Sequence, residues 1–439
     1  MSAVPLVVQK FGGRCLDTAD AAAHSVARVL QARAAGLHPV AVVSALGRKG
    51  QPYSTAALVQ LLTEVSPDIE PRALDLMMAC GEIIAAVRMA HLLAARGVSA
   101  VALTGGQAGI LTTRRFGKAR VTLLKADRIA ECLSDGVVPC VTGFQGVSEV
   151  DHEVTTLGEG GSDYTAVALA LWLRQRSPLR ALGEVSIERV EFYKEAPGIR
   201  TADPRSVPEG ITTDLIPELT HAEMEEVARY GTRVFQFEAA QAAREGDLPL
   251  VFRAVDPAVA DETRVAPRRA AAPGTATAVL DLANLACFTL SPRAGVVARE
   301  RDLRGWVHAW LWEERGVLPL FFPGDDGVAF AVRREQYRDT PALVAEAFQG
   351  TGIESHAWDD TVALVTLVGE GLRGKPRVVV DAVRKDLAST GVPVRALESS
   401  DLSVRVLVPE GERQRTVGLL HEAFVRGKQP MKEKAYDRR

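Results

Sequence analysis

An alternation of two hydrophobic periods narrows the fold more than any other feature of this chain. From residue 5 to about residue 255, short apolar runs of β type take turns with stretches of helical period. The runs "PLVVQKF", "PVAVVSAL", "SAVALTG", "VVPCVTGF" and "IERVEFY" read as strands. Between the first two, "AAAHSVARVLQARAAG" places Val26, Val29, Leu30 and Arg33 at helical spacing and closes on Gly36, the residue type that most readily ends a helix. Such an order predicts a three-layer α/β domain, its sheet covered on both faces. Several strands run directly into Gly or Ser clusters, and doubly wound sheets hold their ligands at such strand ends. Gly12, Ser44, Gly105 and Gly143 therefore mark where chemistry is expected.

A chain of 439 residues is too long for one ordinary core, which predicts two or three domains. With 47% hydrophobic and 24% charged residues and a net charge of −3, neither disorder nor a general attraction to nucleic acid is indicated, and small molecules are the expected partners. Cys15, Cys80, Cys132, Cys140 and Cys287 are odd in number and scattered without CxxC spacing, which argues against a disulfide framework and a structural zinc site. The start "VPLVVQKFGG" lacks the layout of a leader, and no uninterrupted apolar run reaches the ~18 residues of a membrane span. A cytoplasmic protein, not bound to membrane, is expected.

Between about 256 and 275, "DPAVADETRVAPRRAAAPGT" has no sustained apolar period and reads as a linker. Beyond it, the stretch from "VALVTLVGEG" to "LLHEAF" parses as strand, loop, helix, strand, strand, helix, and residues 276–350 repeat a vaguer version. Two copies of a small α/β module suggest a ligand-sensing or oligomerising region, with a structural appendage as the plain alternative. In "GWVHAWLWEERG", Trp306 and Trp310 share a helical face, Trp312 follows, and core packing is the expected role. The tail "RGKQPMKEKAYDRR" is charged and expected to be solvated.

The most informative stretch for chemistry is "TTLGEGGSDYTAVALALWL", residues 155–173. Gly158, Gly160 and Gly161 lead through Ser162 and Asp163 into an apolar helix, so free backbone N–H groups and the positive helix end converge on a phosphate cradle. A glycine turn before a helix is also ordinary punctuation, and it is "KFGG" that adds weight. Lys10 there offers a point charge to phosphate oxygens beside a second glycine pair, Gly12 and Gly13. A lysine at the end of a buried strand needs a partner, and Asp163 is the candidate.

Taken in order, "VVQKFGG", "VVSALGRKGQPYST", "CGE", "LTGGQAGI", "GFQG", "TTLGEGGSD" and "TADPR" resemble the aspartokinases, and the "GRKGQPYST" insertion is similar to that of the Bacillus-type, diaminopimelate-sensitive branch. The resemblance covers almost the whole chain. It implies an amino-acid-kinase domain over 1–255, a linker over 256–275, ACT-like modules over 276–355 and 356–428, and a tail over 429–439. The implied reaction is phosphoryl transfer from ATP, with Mg2+, to the side-chain carboxylate of aspartate, giving an acyl phosphate; no protein side chain is expected to hold metal. Such transfer rests on positioning and charge stabilisation, which lysine and backbone amides supply. By resemblance, Lys10 stabilises the transferring group, Asp163 orients Lys10, and Gly12, Gly13, Ser44, Gly160, Gly161 and Ser162 surround the phosphates. Glu195, Arg200, Arg205 and Arg233 fall on the nucleotide side. Thr55, Glu82, Thr155, Glu159 and Arg14 fall on the acceptor side, with Glu82 matching the glutamate that holds the substrate ammonium. The ACT pair implies a homo-oligomer with an amino-acid effector at its junction, for which Asp401 and Ser403 are candidate contacts.

The chain departs from this pattern in one cleft. Aspartokinases ordinarily read "KFGGT" where this chain has Arg14, and carry at the position of Glu159 the arginine that pairs with the α-carboxylate of aspartate. Two readings stay open: Arg14 replaces that arginine with Glu159 holding it, or the acceptor is a related amino acid without a carboxylate there. On the nucleotide side "KEAPGIRTADPR" stands for an approximate "TDVDGVYTADPR", so Arg200 replaces a tyrosine near the base. "GTRVFQFEAA" stands for "GAKVLHPRAV", losing Pro and Arg at Phe237 and Glu238. A non-catalytic, amino-acid-sensing homologue is the further alternative, against which the retained Lys10, Asp163, Glu82 and glycines argue.

Overall fold

The run "VPLVVQKF" becomes β1 (Val4–Phe11), and Leu6, Val7, Val8 and Phe11 are wholly buried. Burial on both faces is what a central strand of a parallel sheet requires. In this computed structural model, residues 3–427 are described apart from 48–49, 232–233, 268–270, 294–299, 315–319, 324–327, 335–339, 358–360 and 375. The chain divides into two units, the first comprising Met1–Ile199, Leu215–Arg229 and Arg233–Arg269, the second Arg200–Asp214, Tyr230–Thr232 and Ala270–Arg439.

In the first unit, β1 leads to α1 (Ala19–Ala34), β2 (His38–Val43), α2 (Thr55–Thr63), α3 (Pro71–Ala94) and β3 (Ala100–Leu103). There follow β4 (Ile110–Thr112), β5 (Val121–Leu124), α4 (Asp127–Ser134), β6 (Val138–Thr142), β7 (Gln145–Ser148), β8 (Val154–Thr156), α5 (Gly161–Gln175) and β9 (Val185–Lys194). Then come β10 (Glu218–Thr220), α6 (His221–Tyr230), α7 (Phe237–Glu245), β11 (Leu250–Ala254) and β12 (Glu262–Ala266). The main sheet runs β10-β12-β11-β9-β1-β2-β6-β3, and its central pairs are parallel. A smaller sheet, β5-β4-β7-β8, stands beside it. On one face, Phe11 and Tyr193 stack at 4.9 Å and pack among Val26, Val29 and Met89 of α1 and α3. Helix α5 packs against β1 and β9. Because side chains alternate along a strand, the residues flanking Phe11 and Tyr193 point to the opposite face.

Helix α3 is long and apolar enough to cross a membrane, longer than any uninterrupted apolar run suggested. It nevertheless buries Asp75 and Glu82 together with Ala79, Ala86 and Met89, as a core helix does.

The second unit contains β13 (Ala278–Pro292), α8 (Glu300–His308), β14 (Leu320–Pro323), β15 (Val328–Arg333), α9 (Thr340–Ala347) and β16 (Ile353–Ala357). After these come β17 (Val362–Val368), α10 (Pro376–Ser389), β18 (Ala396–Ser399), β19 (Ser403–Pro409) and α11 (Arg413–Leu420). Its antiparallel sheet runs β14-β15-β13-β17-β19-β18. The long β13 belongs to both halves, pairing β17 through Ala278–Leu285 and β15 through Leu285–Leu290. Its register shifts after Leu282, where Asn284 takes a positive φ of 56°. The core side of α8 is Leu303, Val307 and, one turn on, Leu311. Trp306, expected in the core, is instead 51% exposed, because the helix turns the 303/307/311 stripe inward. Trp310 packs edge-on against Phe348 at 6.3 Å, and the side chain of Trp312 lies outside those described.

Candidate active site

The site grows from the ends of β1, β2 and β9 and the start of α5. Lys10, 7% exposed, points to the α5 face of the sheet, where its Nζ meets Asp163 Oδ1 at 2.7 Å. A buried ammonium is held by the first-turn carboxylate of the helix packed above it. The chain then turns at Gly12 and Gly13. A Cβ at Gly13 would lie 2.4 Å from the Ala45 carbonyl oxygen, so only glycine lets this turn pass the end of β2. Ser44, half-buried, donates its N–H to the Phe11 carbonyl at 3.1 Å.

The turn before α5 depends on Gly160, whose φ of 77° is left-handed. Two of the N–H groups expected to be free are engaged within it: Gly161 donates to Gly158 O (3.0 Å) and Asp163 to Gly160 O (2.8 Å). The cradle is narrower than the sequence suggested, because the helix entry is a tight turn that consumes its own donors. Ser162 is buried beneath it.

Glu82 of α3 is 3% exposed, and its Oε1 accepts from the Ala45 N–H at 2.9 Å. Its Oε2 is buried without a hydrogen-bond partner. Burial pushes the carboxyl up to about 7, against the opposing pull of the Ala45 N–H and the Lys10 charge. An unmatched oxygen on a buried carboxyl, within the field of Lys10, suits an incoming cation.

Asp75, which the sequence did not flag, lies seven residues before Glu82 on α3 and is 1% exposed. Its carboxylate accepts from the Gly117 N–H (2.9 Å to each oxygen), the Thr156 N–H (2.7 Å) and the Thr156 hydroxyl (2.9 Å). It thereby ties α3 to the strand that feeds the glycine turn. Burial raises its pKa and the Gly117 and Thr156 donors pull it back. Thr155, expected on the acceptor side, is wholly buried and shares a 2.5 Å hydrogen bond with the Thr112 hydroxyl.

Arg14 sits on the exposed turn after Gly13 and forms an ion pair with Glu195, both side chains about half exposed. Its guanidinium is thus engaged by Glu195, which the sequence had placed on the nucleotide side. Glu159 is exposed on the Gly158–Gly160 turn. Thr55 opens α2 half-buried, next to the buried cap Ser54, which accepts from the Ala57 N–H at 3.3 Å.

Other predicted residues fall outside the first unit or outside the described residues. Arg200 and Arg205 belong to the second unit: Arg200 Nε donates to the Thr213 hydroxyl at 2.9 Å, and Arg205 forks onto Asp203 at 3.1 and 2.7 Å. Arg233 lies outside the described residues. Near β19, Asp401 is exposed whereas Ser403 is wholly buried with its hydroxyl 2.9 Å from that of Ser400.

Lys194, also unflagged by sequence, closes β9; its Nζ donates to the Val234 carbonyl. The Cys15 thiol is no nucleophile here, since burial pushes it up to about 12. The assembly instead offers a cation, a glycine turn and a buried carboxyl with an open oxygen, which positions an anion beside an amine.

Residues 5–254 match the model of the Amino acid kinase family. Over 431 residues the chain is 30% identical to the aspartokinase of Corynebacterium glutamicum, covering 96% of each. Over 434 residues it is 28% identical to aspartokinase 2 of Bacillus subtilis, covering 97% of this chain and 99% of the relative. Identities so similar do not assign the chain to the Bacillus-type branch. Among solved structures, E. coli aspartokinase III in complex with aspartate and ADP matches with a TM-score of 0.76 at 23% identity, covering 95% of this chain and 99% of that one. The match runs through the kinase region and the ACT-like region alike, and the chain belongs to the aspartokinase family.

Proposed function

We propose that the chain transfers the terminal phosphoryl group of ATP to the side-chain carboxylate of L-aspartate, releasing ADP and 4-phospho-L-aspartate. The observation that carries this reading is Glu82: a buried carboxyl with one unpartnered oxygen, in the field of a lysine already paired to Asp163. The acceptor ammonium meets Glu82 Oε2, which orients the side-chain carboxylate toward the phosphate held at the glycine turns. A carboxylate oxygen forms the new P–O bond as the bond to ADP breaks, and Lys10 offsets the charge on the equatorial oxygens. Asp163 holds Lys10 in place. Magnesium, bound with the nucleotide, would supply charge neutralisation at the phosphates; among the described residues no group of three or more His, Cys, Asp or Glu side chains gathers. A relative solved with aspartate and ADP supports the substrate pair.

A related amino acid is the second reading, favoured by the engagement of Arg14 with Glu195 and by the carboxylate of Glu159 on the turn. The test is ADP release with hydroxylamine trapping of acyl phosphate, across aspartate, its decarboxylated and amidated analogues and other small amino acids, in wild type and Glu159→Arg. Aspartate turnover supports the first reading, and turnover with another acid only supports the second. Silence with every acceptor and no ATP binding would leave a sensing protein.

We further assign the protein to the cytoplasm as a homo-oligomer that binds an amino-acid effector through its second unit, near Asp401 and Ser403. A relative is solved with lysine as well as aspartate, which supports an effector of this class. Light scattering with and without lysine tests both points.

A further inference from the structure

We propose that Lys194 is a second catalytic cation, placed beside Lys10 on the α5 face of the sheet to bind the phosphoryl group in transfer. The inference rests on the kinase reading above and adds a residue to it. Strands β1 and β9 are parallel neighbours in which Lys10 lies opposite Phe192 and Phe11 opposite Tyr193. Phe11 and Tyr193 stack on the α1 and α3 face, so Lys10, Phe192 and Lys194 all turn to the other face. The burial of Phe192 against Phe235 and Phe252, at 4.8 and 5.0 Å, agrees with that direction.

Lys194 lies on the adjacent strand two residues beyond Phe192, the partner of Lys10, so the two long side chains share one face and can converge on one ligand. The backbone of Gly12 lies alongside, its N–H donating to the Tyr193 carbonyl at 3.2 Å. Three charged side chains act on one another here: Asp163 favours the charged form of Lys194, while Lys10 and burial oppose it. Asp163 carries one negative charge and is already 2.7 Å from Lys10. The trio therefore retains a net positive charge at the start of α5, where the helix dipole adds to it. A cation drawn partly out of water and incompletely compensated is costly, and an arriving anion matches it.

The groups that face Lys194 are Asp163, Lys10, Cys15 and the Val234 carbonyl. Burial holds its ammonium below the ordinary lysine range, so it loses its proton at a lower pH than a solvated lysine. This separates a chemical role from a merely structural one, because arginine keeps the charge without titrating. The experiment compares wild type, Lys194→Met and Lys194→Arg in the full chain for kcat, nucleotide KM and the pH dependence of kcat. Expected are a loss of kcat of about 100-fold or more in Lys194→Met, partial rescue in Lys194→Arg, and an alkaline limb that moves to higher pH in the arginine variant. A kcat in Lys194→Met within threefold of wild type, or an alkaline limb unmoved in Lys194→Arg, overturns the proposal. If wild type turns over no acceptor, the kinase reading itself fails; calorimetric binding of the β,γ-imido analogue of ATP then decides for Lys194. Binding weakened tenfold or more in Lys194→Met supports the cation's role, and unchanged binding refutes it.

Discussion

Replacing Glu82 by Gln keeps the shape of the side chain and removes its charge. Holding that carboxyl at about 7 rather than the ordinary 4.5 corresponds to about 3 kcal/mol against the ionised form in the folded protein. The sign follows from proton binding. Below pH 4.5 the group is protonated in both folded and unfolded states and contributes nothing. Between 4.5 and 7 the folded state holds more protons, so stability falls as pH rises, and above 7 the full penalty is present. The glutamine variant lacks this dependence. Relative to wild type it should therefore gain about 3 kcal/mol between pH 4.5 and pH 8, roughly 6–12 °C in Tm for a unit of this size. Comparing the Tm difference at the two pH values cancels the constant cost of repacking the amide. Scanning fluorimetry of both proteins without ligand is the assay, followed by acceptor kinetics at pH 8. There the variant should lose acceptor affinity by 100-fold or more, as expected when a buried charge partner of the ammonium is removed. A stability difference that does not change with pH would refute the account of Glu82 as a buried, unmatched carboxyl. An unchanged acceptor KM would refute its assignment to the ammonium.

Asp163→Asn leaves Lys10 buried without its counter-charge, so a destabilisation of about 3–5 kcal/mol and near-complete loss of turnover are expected in denaturation and ADP-release measurements. Asp75→Asn places an amide N–H against donors from Gly117 and Thr156; a cost of about 2–3 kcal/mol and a raised acceptor KM should appear together. Arg14→Ala breaks only a half-exposed pair, so Tm should hold within about 2 °C while substrate kinetics change, measured across the acceptor series. In the second unit, the wholly buried His421 bonds the Thr201 hydroxyl at 2.9 Å, near Arg426, Glu422 and Asp214, and burial lowers its pKa below the usual 6.5. Its contribution is present above 6.5 and lost as pH falls below it. The unfolding transition of wild type should therefore drop more steeply below pH 6 than that of His421→Asn, as followed by circular dichroism.

Much of this protein is written locally. The strand runs from "PLVVQKF" to "IERVEFY" form strands because a period of two apolar faces, or an unbroken apolar run between glycines, can bury itself only in a covered sheet. The Lys10–Asp163 pair was legible for a similar reason: a lysine at the end of a buried strand must find a carboxylate, and the one in the first turn of the glycine-led helix was the candidate. Asp75 was hidden, since an aspartate inside an apolar helix looks the same whether it faces water or four donors. Trp306 was misjudged because two periodic stripes run along α8, and only packing selects the one that is buried.

The sequence by itself determined the elements, their alternation and the identity of the charged residues at the strand ends, because these depend on neighbours a few positions away. Only the tertiary structure decided which of those charges share a face. Lys10 and Lys194 lie far apart along the chain, and a strand register of one residue more or less would have turned one of them to the opposite side of the sheet.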